Sequence, residues 1–297
     1  MSLDNYLSAG KIAATVREEA RRKYHVGSTL LEICESLEKR IRELKGEPAF
    51  PVNTSLNEIA AHYTAEPNDV TTVNEGDVIK IDIGVHVDGY VADTAVTVSY
   101  NRSYDLMVKA AESALAEAVK MSRVDTKVSD IGRVIEMTIT KSGYRPIQNL
   151  SGHSLKQYTV HAGKSIPNIR TFGSSFSLSS DEAYAIEPFA TLKEGQGVVY
   201  DGRVKNIFGI SSRKPSKDKD ADELLESIWN RYRTLPFALR WLLEANDESK
   251  VRRLVELLLK RKNLHAYPIL VEGAGKTVVQ AEHTIIPTAS GPTVITA

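Results

Sequence analysis

The chain has 297 residues, 42% of them hydrophobic, with 38 Lys plus Arg against 38 Asp plus Glu. That length is enough for one large core or two ordinary ones, and the zero formal charge with 26% charged residues excludes a globally basic nucleic-acid binder, a disordered chain and low-complexity sequence. The single cysteine, Cys34, excludes an internal disulfide framework; no apolar run reaches membrane-helix length, and the opening residues lack the basic-then-apolar pattern of a secretory signal, so a soluble cytoplasmic protein is expected.

Tyr6, Leu7, Ile12, Ala13 and Val16 recur at helical spacing and predict a helix over 5–25. A second helix is expected over 29–45, opened by a Thr29/Glu32 capping box, striped by Leu30, Ile33, Leu37, Ile41 and Leu44, and stopped at Gly46. Cys34 lies beside that stripe and reads as a small core residue. Residues 50–66 are mixed and punctuated by Pro51 and Asn53. Asp77–Val85 and Tyr90–Ser99 alternate apolar with polar residues, and Asp88-Gly89 between them is a hairpin turn signal. Helices over 101–122 and 128–142 follow, and short strands over 147–200 lie among Gly, Ser and Pro. Residues 203–263 open with a polar loop and carry helical patterns near 221–232, 236–246 and 249–262. This segment has 15 Lys/Arg against 9 Asp/Glu, a net +6 that leaves −6 for the remainder, which marks it as a separate insert. Strand-like residues resume over 267–288, and no short-period repeat is evident.

If Asp88-Gly89 are the two central turn residues, positions whose numbers sum to 177 face each other. Asp82 then opposes Ala95, Asp93 opposes Gly84, and both carboxylates share one face as diagonal neighbours about 7–8 Å apart. Two such carboxylates repel unless one is protonated or a cation lies between them. Lys80 is the one cationic partner within 78–98, so a metal has a physical motive, while solvent-facing acids on an antiparallel sheet would read the same way. Further along stand His153 in Gly152-His153-Ser154, which reads as a glycine-supported loop, Glu187 in an apolar strand, and Glu282 in another. Each taken alone is as well explained by a hydrogen-bonded histidine or an edge carboxylate. Together they form a hard-oxygen set with one imidazole, suited to Mn, Fe, Co or Zn. Four carboxylates balance two divalent ions, and a pair about 3.5–4 Å apart can hold a bridging hydroxide and polarise a carbonyl. His62 and His161 stand outside this set and could hydrogen-bond a substrate amide or a developing oxyanion.

These residues fall in segments that resemble type 2 methionine aminopeptidases of the short, archaeal kind. The matching segments are Phe50-Pro51, Ser55-Leu56-Asn57 leading to His62-Tyr63-Thr64, Lys80-Ile81-Asp82-Ile83-Gly84, Ala92-Asp93-Thr94-Ala95, Gly152-His153-Ser154, His161-Ala162-Gly163-Lys164, Glu187-Pro188-Phe189 and Gln280-Ala281-Glu282-His283-Thr284. They occur in the family's order and span about 50 to 285. The resemblance implies an α+β pita-bread fold with two pseudo-symmetric halves, made of residues 1–202 and 264–297, with 203–263 as the helical insert typical of type 2. It implies that Asp82, Asp93, His153, Glu187 and Glu282 bind two divalent ions, Asp93 and Glu282 bridging both. It makes His62 and His161 outer catalytic histidines, assigns Glu187 a share in proton handling, and lines the methionine pocket with Phe50, His62, Val160, His161 and Tyr267. The implied activity is removal of the initiator methionine from nascent or short polypeptides with a small second residue, by attack of a hydroxide bridging the ions. The resemblance implies peptide N-termini as partners. Composition and charge, apart from the resemblance, lead us to expect a cytoplasmic protein that binds neither membrane nor specific nucleic acid, and a monomer is expected; the +6 insert suggests docking near the ribosome, while a solvated charged helical face would read the same way. The same fold would also suit an Xaa-Pro aminopeptidase or a non-catalytic binding protein that has lost its metal ligands.

Overall fold

The computed structural model describes residues 2–172, 176–243 and 247–297. Its organising element is the hairpin Val78–Val87/Tyr90–Ser99, turned at Asp88 (φ 52°) and Gly89 (φ 80°), the paired positive φ that an Asp-Gly turn supplies. The register is the expected one, with Asp82 opposite Ala95 and Gly84 opposite Asp93. Alternation then sends Ile79, Ile81, Ile83 and Val85 to the other face, where all are fully buried. That face packs with Ala9, Ala13 and Val16 of the helix Leu3–Lys23 and with Leu30, Ile33, Leu37 and Ile41 of the helix Leu30–Glu43. Thr29 caps the second helix by accepting the Glu32 amide at 3.1 Å.

A second half repeats the plan. The helices Asp105–Met121 and Val128–Lys141 cover a five-stranded sheet in the order Pro292–Val294, His283–Pro287, Ala183–Ile186, Ser151–Leu155, Ser165–Pro167. Ile131, Ile135 and Ile139 bury against Tyr184, Ile186 and Ile285 in its core. The halves meet where Tyr90–Ser99 runs beside residues 278–287, and threonine hydroxyls join them. Thr94 Oγ1 donates to the Glu282 carbonyl (2.8 Å), Thr97 Oγ1 to the Gln280 carbonyl (2.7 Å), and Thr284 Oγ1 to the Asp93 carbonyl (2.7 Å).

Residues 207–267 have their own sheet and core. Ile207–Ile210 pairs with both Phe237–Ala238 and Leu264–Tyr267, and the helices Lys219–Tyr232 and Glu248–Lys260 bury Leu225, Ile228, Leu254 and Leu258 over it. The expected helix over 236–246 does not form over its first residues. Phe237 and Ala238 are an edge strand against Ile207 and Phe208, and only Arg240–Leu243 forms a single helical turn; residues 244–246 lie outside the described residues, as do 173–175 of the stretch 147–200. The fully buried Phe237, an aromatic residue suited to a strand, takes the extended pairing instead of opening a helix.

Candidate metal centre and substrate cavity

Asp82 and Asp93 leave the same face of the hairpin, away from its buried isoleucines, as the register requires. Lys80 does not serve Asp82. It is 1% exposed, donates from Nζ to the Asn57 carbonyl at 2.7 Å, and burial pulls its pKa down to about 7. Asn53 stands opposite Asp82 on the neighbouring strand.

His153 lies within the strand Ser151–Leu155 rather than in a loop. Gly152 permits the close strand approach, since a Cβ there would sit 2.3 Å from the Ala185 carbonyl oxygen. Glu187 and Glu282 are not inside strands as expected; each occupies a break between two, Glu187 after Ala183–Ile186 and Glu282 after Val278–Gln280. The breaks turn both carboxylates out of the ladder and toward the hairpin. His153 Nε2 is then 3.7 Å from Asp93 Oδ2 and 3.5 Å from Glu187 Oε1, and ligand atoms of Asp93, His153 and Glu282 lie within 4.8 Å of one another. Gln280 Nε2 donates to Glu282 at 3.3 Å and to Glu187 at 3.5 Å.

Four carboxylates thus share one buried space with one imidazole. Burial raises the pKa of Asp82 to about 7 and those of Asp93, Glu187 and Glu282 well above the usual carboxylate range, with mutual repulsion adding to the last three. Burial, with the neighbouring His161, holds His153 neutral. Asp82 Oδ1, Asp93 Oδ1 and His153 Nδ1 are buried without a hydrogen-bond partner. Orphaned acceptors amid concentrated negative charge fit a divalent cation, and oxygen donors with a neutral imidazole are the chemistry such ions take.

A cavity of about 330 Å³ opens on this cluster. All ten residues singled out from the sequence line it: Asp82, Asp93, His153, Glu187, Glu282, His62, His161, Phe50, Val160 and Tyr267. Phe50 owes its place to Gly84, where a Cβ would lie 2.2 Å from the Phe50 ring. His161 stacks edge-on to His153 with centroids 4.2 Å apart, and His62 meets Tyr267 edge-on at 6.0 Å. Burial lowers the pKa of His62. His62 Nδ1 lies 3.2 Å from the Pro268 carbonyl, which can only accept, so Nδ1 carries the proton and Nε2 is left as acceptor. Sequence reading missed Asn53, Gln280, Ile207, Pro236 and Leu270. Gln280 was legible as a polar residue closing the apolar strand Val278–Gln280, whereas Ile207 and Pro236 carry no local signal.

A model of the metallopeptidase family M24 matches residues 4–211. The chain belongs to metallopeptidase family M24. Its M24 relatives include a methionine aminopeptidase of Pyrococcus horikoshii, 45% identical over 296 residues covering 100% of both chains. A methionine aminopeptidase of Methanocaldococcus jannaschii is 44% identical, again over 100% of both. Among solved structures, a methionine aminopeptidase from Thermotoga maritima superposes with a TM-score of 0.71 at 21% identity, covering 100% of this chain and 98% of that one. A thermophilic Arx1 gives 0.82 at 18% identity (99% and 91% covered), and the prolidase of Pyrococcus furiosus 0.60 at 14% (99% and 63%). These likenesses establish the M24 pita-bread fold, with its buried Asp/His/Glu cluster where a metallopeptidase needs a divalent metal.

Proposed function

We propose that the protein is a metalloaminopeptidase that releases the initiator methionine from polypeptides with a small second residue. Asp82, Asp93, His153, Glu187 and Glu282 would hold two divalent ions drawn from Co, Mn, Fe or Zn. Such ions, when bound, polarise a carbonyl and bring the pKa of water toward neutrality. The observation that carries the reading is the meeting of this donor set, in one cavity, with the apolar wall of Phe50, Val160 and Tyr267. That wall suits an unbranched thioether, and the acidic floor suits a free α-amine. His62, neutral and protonated on Nδ1, presents Nε2 to accept a hydrogen bond from the substrate's N–H. His161 at the cavity wall supports the oxyanion that develops at the scissile carbonyl. Full-length identity of 45% to a methionine aminopeptidase supports this specificity over an Xaa-Pro one.

In this reading residues 1–202 and 264–297 form the catalytic body and 203–263 an insert, supported by the separate core over residues 208–264. The protein acts in the cytoplasm as a monomer on nascent N-termini, and its basic insert faces the ribosome. Metal-loaded protein should release methionine from Met-Ala-Ser far faster than it cleaves an Xaa-Pro bond; preference for the latter would overturn the specificity.

A further inference from the structure

We propose that Arg240 is a positioning residue for His62, and that the segment around it serves the reaction by clamping the backbone of residues 62–65. The inference rests on the role given to His62 above. His62 sits at φ 67°, a left-handed conformation that a non-glycine residue keeps only when its surroundings hold it there. Part of that hold comes from the first half, where the Thr54 amide donates to the Tyr63 carbonyl at 2.7 Å and Thr64 Oγ1 donates to the Val52 carbonyl at 2.8 Å; the rest comes from the unit around Arg240. Arg240 Nη1 donates to Thr64 Oγ1 at 2.9 Å and to the Ala65 carbonyl at 2.8 Å, and Asn206 Nδ2 donates to the Thr64 carbonyl at 2.9 Å. On the other side, the Pro268 carbonyl takes His62 Nδ1, and the Tyr267 ring packs edge-on to the imidazole.

Tyr267 ends the strand that pairs with Ile207–Ile210, and Ile207–Ile210 also pairs with Phe237–Ala238, two residues before Arg240. The grips on His62 from front and back are therefore arms of a single three-stranded sheet. The Arg240 charge is met by Glu38 on the helix Leu30–Glu43, and both are almost fully buried. A buried ion pair is poor value as a stabiliser, since apolar residues of equal volume serve as well. What a guanidinium supplies that they cannot is a rigid fork of donors with fixed direction. Here one nitrogen of the fork reaches Glu38 and another reaches the Thr64 hydroxyl and the Ala65 carbonyl, setting the main chain that bears His62 relative to the cavity.

The test is a double-mutant cycle on metal-loaded full-length protein, reading kcat and KM for Met-Ala-Ser. Two perturbations are used: Glu38→Gln/Arg240→Met, which neutralises the pair together, and Thr64→Val, which removes one acceptor of the fork along with the bond from the Thr64 hydroxyl to the Val52 carbonyl and leaves the pair intact, with Thr64→Ser, which keeps the hydroxyl, as a control expected to retain kcat. Each perturbation should fold, keep its metal content, and lose kcat by on the order of 10- to 100-fold with little change in KM. Each should also broaden the His62 ring nitrogen resonances that report the Nδ1–H tautomer. In a His62→Ala background neither should cause any further loss. Losses that multiply in full in that background, or folded variants with undiminished kcat, overturn the positioning role. If the Glu38/Arg240 variant does not fold, Thr64→Val decides on the same criteria. An undiminished kcat in His62→Ala alone overturns the role of His62 itself, a failure distinct from a damaged His62→Ala beside inert Arg240 and Thr64 variants.

Discussion

Two buried acidic sites in this molecule are built to opposite plans. Glu38 is 2% exposed and fully matched from within the chain: Oε1 accepts from Arg240 and from the Val52 amide at 3.1 Å, and Oε2 from Trp241 Nε1 at 2.7 Å. The cluster of Asp82, Asp93, Glu187 and Glu282 is met by the neutral His153 imidazole and the side-chain amides of Gln280 and Asn53, and leaves Asp82 Oδ1 and Asp93 Oδ1 unmatched. A carboxylate that finds its cation inside the fold fixes the groups around it. A group of carboxylates that does not is arranged for a cation from outside.

The largest effect that would break this contrast is at the cluster. Asp93→Ala or Glu282→Ala should abolish metal binding and cut turnover on the order of 10³-fold or more while the protein stays folded. Near-normal turnover with bound metal would contradict the assignment. At the matched site the expectation is reversed. Glu38→Ala strands a buried guanidinium and should cost about 3–5 kcal/mol in denaturant unfolding, with metal stoichiometry unchanged in whatever remains folded; a loss under about 1 kcal/mol would show that the pair is not truly desolvated.

The smallest effect is the pH dependence. In metal-free protein, folded Asp82 keeps its proton up to about pH 7, whereas an unfolded aspartate has lost it above about pH 4. The folded state binds more protons across that interval, so this group subtracts stability as pH rises through it. A metal must displace those protons, and displaces fewer as pH climbs. The rise in Tm on adding metal should therefore grow between about pH 5 and 7. A rise independent of pH would mean that these carboxylates are ionised before the metal arrives.

The contrast also marks what was legible in the sequence. The hairpin and the shared face of Asp82 and Asp93 follow from an Asp-Gly turn and strict alternation, because a two-residue turn fixes register. The helix pairs follow from apolar spacing, reinforced at Leu30–Glu43 by the Thr29 cap. The approach of His153, Glu187 and Glu282 to the hairpin depends on strand breaks and on a sheet assembled across the chain, so only the ordered motifs of a known family pointed to it. The link from Glu38 to Arg240 spans 202 positions and has no local signature. At 236–246 apolar residues at helical spacing misled, because tertiary pairing drew Phe237 and Ala238 into an edge strand.

The threonine joint between the halves has a consequence of its own. Asp82 and Asp93 belong to one half and His153, Glu187 and Glu282 to the other, while side-chain hydroxyls of Thr94, Thr97 and Thr284 fasten the two together along this line. On the proposed ligand set, neither half alone would hold a cation. A cation seated there would act as a rivet driven through both plates, and its binding energy would resist their parting.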